Sequence, residues 1–76
     1  MLSIKVNEDK AMNFVIYCIE ILKDIFHTSG SDIYRVLRKH GLIELIYDNY
    51  EDLHSMGRIY LINYIVDILR NRGEQI

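Results

Sequence analysis

Two long apolar segments constrain this chain more than any other feature of its sequence. Residues 59–69 are apolar except for Asn63 and Asp67. Residues 12–26 are nearly as apolar, and their four polar residues recur at helical spacing and therefore form one narrow stripe. A surface helix of a globular protein normally has a wider polar face. The pattern predicts two strongly apolar helices, which we expect to enclose shorter helices between them. The four polar residues of the first segment are Asn13, Glu20, Lys23 and Asp24.

Length and composition predict a single helical domain. The chain has 76 residues, 50% of them hydrophobic, with one cysteine and no proline. A chain of this length has room for one core, and the absence of proline favours uninterrupted helices. A lone cysteine cannot form an internal disulfide and is typical of the reducing cytoplasm. We therefore expect one all-α bundle over residues 1–76, located in the cytoplasm.

Charge and hydropathy argue against membranes and nucleic acid as partners. The formal net charge is -2 at pH 7, which gives no long-range attraction to phosphates. The first residues lack the basic and apolar regions of a signal peptide, and the apolar runs are shorter than the roughly 20 residues that cross a bilayer. We expect neither secretion nor membrane insertion.

Capping residues and glycines divide the chain into four predicted helices, with approximate limits 8–27, 31–40, 42–49 and 56–71. Acidic and amide side chains at residues 7–9 should cap the first helix, and the segment 27–30 should end it, with Gly30 able to adopt the left-handed conformation. Ser31 or Asp32 should cap the second helix, and Gly41 should end it. Residues 50–55 are expected to form a loop with one helical turn, in which Leu53 is the buried anchor and Ser55 caps the last helix.

The central helices, joined across Gly41, resemble a helix-turn-helix, which makes a DNA-binding regulator the alternative function. The second helix of this pair would bring carboxylates rather than cations toward phosphates, since it contains Glu44 and Asp48. The basic residues of the pair lie on the first helix, where three charges on one exposed face usually improve solubility. They are Arg35, Arg38 and Lys39.

We find no constellation of residues that predicts catalysis or metal binding. His27, His40 and His54 lie at separate helix ends or loops, without the spacing of a zinc site. Cys18 lies within an apolar run, where a buried thiol is unreactive. We therefore expect no enzyme activity, no cofactor and no metal.

Six tyrosines are the side chains best suited to an interface, because tyrosine combines apolar area with a polar tip. Tyr60 and Tyr64 lie one helical turn apart, so their hydroxyls can emerge along one side of the last helix. The alternative is that the tyrosines line the edge of the core with wet hydroxyl groups. We predict a partner interface formed by Phe14, Tyr60, Tyr64 and Ile68.

Three segments in their order along the chain resemble a family of short bacterial proteins catalogued as a domain of unknown function. The segments are FVIYCIE at residues 14–20, IYRVLRKHGLI at 33–43 and YxxLHSMG at 50–57. The resemblance implies an all-helical cytoplasmic protein of bacteria without a known activity. It also implies genes beside other small uncharacterised proteins, some of them similar to ADP-ribosyltransferase toxins. The positions that match the pattern, with roles unknown, are Glu20, Tyr34, Gly41, Tyr50, Leu53, His54 and Gly57.

Together these observations predict a non-catalytic protein–protein interaction module. It would either associate with itself, as a homodimer, or bind the product of a neighbouring gene. An antitoxin-like or accessory role would fit the second form.

Overall fold

The computed structural model describes residues 9–75, which form five α-helices and no β-strand. The all-α prediction is therefore confirmed. Four helices have seven residues or more, and each described end lies within two residues of its predicted limit. The predicted start of the first helix at residue 8, with its capping candidates Asn7 and Glu8, lies outside the described residues. The helices are α1 (Lys10–Phe26), α2 (Gly30–Lys39), α3 (Leu42–Asp48), α4 (Tyr50–Leu53) and α5 (Arg58–Asn71).

Side-chain and glycine caps set several helix ends as predicted. The Met12 amide donates to the Asp9 carboxylate at 3.0 Å, which satisfies one of the free amides at the start of α1. Gly41 has a φ of 70° and ends the turn between α2 and α3. The helical turn expected within residues 50–55 is α4, and Leu53 anchors it in the core.

The predicted stop of α1 within residues 27–30 is confirmed, but its left-handed residue and two N-caps differ from those predicted. His27, with a φ of 53°, adopts the left-handed conformation, whereas Gly30 is the first residue of α2. Ser29 caps α2 in place of Ser31 or Asp32, because its hydroxyl accepts from the Asp32 amide at 3.1 Å. Gly57 precedes α5 without a side-chain cap, while the Ser55 hydroxyl donates to the Asp52 carbonyl at 2.8 Å.

One hydrophobic cluster takes side chains from all five helices. The backbones of α1, α2 and α3 approach one another most closely, whereas α5 joins the cluster through its side chains. The buried residues of α5 follow one stripe, as expected for an amphipathic helix. They are Leu61, Ile62, Ile65 and Leu69.

The exposed face of α1 is wider than the predicted polar stripe. Met12, Ile16 and Tyr17 are exposed beside Asn13 and Glu20. The helices of this chain therefore leave apolar surface in contact with solvent on both α1 and α5. Among residues 9–75, we find no helix with the length and apolar character needed to cross a membrane.

Candidate functional site

Four rings from α1 and the α4 region form an aromatic cluster, which comprises Phe14, Tyr17, Tyr50 and His54. The Phe14 ring meets the Tyr50 ring edge-on at 5.5 Å between centroids and the Tyr17 ring at 6.1 Å. Tyr50 and His54 stack at 4.5 Å with an angle of 16° between their planes. The two residues are one helical turn apart, so their rings lie on the same side of the α4 region.

The hydrogen bond of His54 determines which ring nitrogen carries a proton when the imidazole is neutral. His54 Nδ1 lies 2.8 Å from the carbonyl oxygen of Tyr50. A carbonyl can only accept, so Nδ1 donates and Nε2 is left as an acceptor. His54 is exposed, and the cluster borders an open groove with Lys10 and Asn13. The groove therefore combines ring faces with a cation, an amide and a nitrogen acceptor.

A second exposed area lies on α5. We call Ile59, Tyr60, Asn63, Tyr64 and Asp67 the α5 surface, since all five are exposed. Ile59 is 73% exposed and Tyr60 is 75% exposed, the highest values among the large apolar side chains described. Adjacent apolar residues with this exposure mark a surface suited to binding a protein.

The structure divides the residues predicted as a partner interface between two places. Tyr60 and Tyr64 belong to the α5 surface, whereas Phe14 belongs to the aromatic cluster. Phe14 and Ile68 are half-buried against the core, so only part of each can reach a partner.

The predicted interface omits Ile59, and it omits Tyr17 although Tyr17 is one of the six tyrosines suited to an interface. Tyr17 could have been found from its spacing, because it lies one turn after Phe14 on the same helix. Ile59 could not, because the periodicity of a nearly all-apolar helix does not distinguish its first turn from its core.

Most positions of the family pattern have a place in the fold. Tyr50 and His54 form half of the aromatic cluster, Leu53 is buried, and Gly57 and Gly41 precede helices. Two others lie on the surface of the longer helices. Glu20 pairs with Lys23 at 2.8 Å, and Tyr34 is exposed on α2.

The cysteine and the histidines occupy separate environments. Cys18 is fully buried, and this burial raises the pKa of its thiol to about 11. His27 ends α1, while His40 Nε2 donates to the Glu74 carboxylate at 2.8 Å. Within the described part of the chain, no three side chains of the types that bind metals come together.

The DNA-binding alternative stays a prediction, and the charges of α2 and α3 give it little support. Arg35 pairs with Asp32 and Lys39 pairs with Glu74, each at 3.1 Å, so carboxylates offset two of the three cations. The exposed residues of α3 include Glu44 and Asp48, which would repel phosphates.

Residues 9–75 form a small all-helical fold with an apolar core, and aromatic side chains are exposed both at the aromatic cluster and on the α5 surface. The chain belongs to the family described as Protein of unknown function (DUF3791), whose model matches residues 13–72. The predicted membership in a family of unknown function is thus confirmed. No curated protein and no solved structure matches the chain.

Proposed function

We propose that this protein is a non-catalytic interaction module that forms a homodimer through the α5 surface. The observation that supports the proposal most is the exposure of Ile59 and Tyr60, at 73% and 75%. Covering a large apolar side chain contributes roughly 1.5–3 kcal/mol. A short chain gains stability from such association, because its own core is small. The lone thiol of Cys18 supports a location in the reducing bacterial cytoplasm.

The order of residues on the α5 surface favours a second copy of the chain as the partner. Tyr60 and Asp67 are separated by about two helical turns and therefore share one face. If two α5 helices pair antiparallel about an axis near Asn63 and Tyr64, Tyr60 of one copy lies opposite Asp67 of the other. The tyrosine hydroxyl then donates to the carboxylate twice, once on each side of the axis. Such self-complementarity is what a two-fold interface requires.

Light scattering coupled to gel filtration tests this proposal over micromolar to hundreds of micromolar protein. We expect a mass that rises from monomer to dimer with concentration. Tyr60→Glu should weaken the dimer by at least about tenfold, because it places a buried carboxylate opposite Asp67 of the other copy. Tyr47→Glu is the matched control, since Tyr47 is also exposed but lies on α3.

Two results would reject the homodimer. The first is a strict monomer at the highest concentration, and the second is an equal loss of dimer in both variants. The protein could instead be a monomer that binds the product of a neighbouring gene and loses that binding with Tyr60→Glu. It would then still be a protein–protein interaction module, but with a different partner. An antitoxin-like or accessory role belongs to that second outcome.

A further inference from the structure

A partly enclosed pocket lies between α1, α2 and the residues that follow α5. Its volume is about 300 Å³. It shares no lining residue with the groove beside the aromatic cluster. Leu22, Leu37 and Leu69 are buried, and they give the pocket an apolar floor. Phe26, Ile33 and Val36 complete its apolar lining.

The volume suits a small organic molecule. An engineered cavity of about 150 Å³ with a comparable apolar lining binds benzene in another protein. The pocket described here has about twice that volume. It can therefore hold two fused rings or a medium-length alkyl chain.

The rim determines the charge that such a molecule should have. Asp32 and Glu74 line the pocket, together with Thr28 and Gln75, and none of the described lining residues is cationic. Arg35 and Lys39 hold the two carboxylates, at 3.1 Å each, but their own side chains are largely exposed. These two cations thus lie on the solvent side, while the carboxylates border the pocket. The His40 ring, which is 11% exposed and also meets Glu74, does not line the pocket.

Both carboxylates stay ionised at neutral pH. The Thr28 hydroxyl donates to Asp32 at 2.7 Å and Arg35 lies on its other oxygen, which lowers the pKa of Asp32. His40 at 2.8 Å and Lys39 lower the pKa of Glu74 in the same way. Each carboxylate retains lone pairs that a further donor can use.

We propose that this pocket binds a small amphiphilic amine, with its apolar part in the pocket and its ammonium group at Asp32 and Glu74. Binding of the amine does not depend on the dimer proposed above, because the pocket and the α5 surface share no residue. An amphiphile with a carboxylate head should bind more weakly, because Asp32 and Glu74, the charged residues that line the pocket, would repel it at short range.

Titration with octylamine and with octanoate, followed by amide chemical shifts at neutral pH, tests the proposal. The two probes have alkyl chains of similar length and opposite charges. We expect octylamine to shift the amides of Ile33, Val36 and Leu69, and to bind at least about tenfold more tightly than octanoate. The amides of the aromatic cluster should not move.

Three variants locate the site. Val36→Trp fills the pocket and should abolish the shifts, whereas Tyr34→Trp places the same ring on the exposed side of α2 and should preserve them. The double variant Asp32→Asn, Glu74→Gln should retain octanoate binding and lose the preference for the amine. This variant changes no apolar residue of the core. It therefore still measures the preference between octylamine and octanoate if Val36→Trp fails to fold.

Equal affinity for the two probes, or shifts spread over exposed apolar residues, would overturn the proposal. So would the absence of shifts at the solubility limit of octylamine. A change in oligomeric mass with Val36→Trp would identify a second copy as the occupant and would also overturn it. Octylamine binding that persists in Tyr60→Glu separates this result from any failure of the dimer.

Discussion

At the scale of single residues, backbone angles distinguish two glycines of the family pattern. Gly41 has a φ of 70° and a ψ of 17°, in the left-handed region that L side chains rarely adopt. Gly57 has a φ of -65° and a ψ of 154°, which any residue can adopt. The first position therefore requires glycine for conformational reasons and the second does not.

Alanine at these two positions should have different effects on stability. Gly41→Ala should destabilise the fold by about 1–2 kcal/mol, because the left-handed conformation strains a Cβ atom. Gly57→Ala should be nearly neutral, since alanine restricts the unfolded chain but is a poorer N-cap than glycine. Its Cβ would lie 3.6 Å from Tyr60, an ordinary contact distance. Urea unfolding followed by circular dichroism measures the change in the free energy of unfolding for each variant. Equal changes would contradict a conformational requirement for glycine at position 41 alone.

Some residue environments could be predicted from sequence and others could not. Cys18 and Leu53 are buried, as expected, because apolar neighbours at helical spacing define an inward stripe. Within the predicted stop at residues 27–30, the sequence favours Gly30 as the left-handed residue, since glycine adopts that conformation most readily. The structure places it at His27 because the Ser29 cap makes Gly30 the first residue of α2. The end of α1 and the start of α2 share the residues between them. A rule that treats each helix end separately does not predict which residue serves which end.

At the scale of elements, the residues that follow α5 are tied to the end of α2. Glu74 accepts from Lys39 and His40, and Arg72 donates to the His40 carbonyl. The Glu74 amide also donates to the Leu69 carbonyl at 3.0 Å, across Gly73 with its φ of 93°. We call this set of contacts the Glu74 tie. It joins two helices that are distant in sequence.

Acid should release the Glu74 tie. Hydrogen bonds from His40 and Lys39 lower the pKa of Glu74 below its ordinary value of 4.5, so the folded protein binds this proton less readily than the unfolded chain. The tie therefore stabilises the fold above that ordinary value and is lost as the pH falls through the folded value. Between pH 7 and pH 3, wild type should lose more stability than Glu74→Gln.

Urea unfolding as a function of pH measures this difference. Glu51→Gln provides the control, since Glu51 is exposed on α4 and lies outside the tie. Asp32 also has a lowered pKa, because Thr28 donates to it. Its protonation therefore reduces the stability of wild type and of both variants at low pH. Parallel pH profiles for wild type and Glu74→Gln would show that the ionised Glu74 carboxylate contributes nothing to stability.

The helices themselves could be predicted because their periodicity is local, whereas the contacts between them could not. Phe14 and Tyr50 meet at 5.5 Å although they lie on different helices. No spacing rule connects such residues without the path of the chain between them. The Glu74 tie was missed for the same reason, since it depends on where α5 ends relative to α2.

At the scale of the whole molecule, the core and the α5 surface should respond differently to truncation. Ile65→Ala removes a fully buried side chain and should cost about 2–5 kcal/mol at every protein concentration. Ile59→Ala changes an exposed side chain of the same helix, and in the monomer its effect should stay within about 0.5 kcal/mol.

Association makes the second effect depend on concentration. The dimer stabilises the folded state by mass action. The loss of stability in Ile59→Ala, relative to wild type, should therefore increase as the protein concentration rises. Thermal unfolding at several concentrations measures this dependence. A deficit that is constant with concentration would place Ile59 outside the interface.

The sequence predicted surplus apolar surface for the whole molecule, and the exposed side chains of α1 and α5 agree with that prediction. The surplus follows from counting apolar residues in a short chain, which requires no knowledge of packing. The pocket beside Asp32 and Glu74 could not be predicted, because its walls come from three separate parts of the chain.

The Glu74 tie also has a consequence for the lifetime of the folded state. Close packing among α1, α2 and α3 involves neighbours along the chain, and such local contacts form early in folding. Glu74 bonds to Lys39 and His40, which precede it by 35 and 34 positions. Closing so long a loop costs conformational entropy, which disfavours forming these bonds early in folding. The tie should therefore form after the transition state, so that losing it speeds unfolding and leaves the rate of folding nearly unchanged.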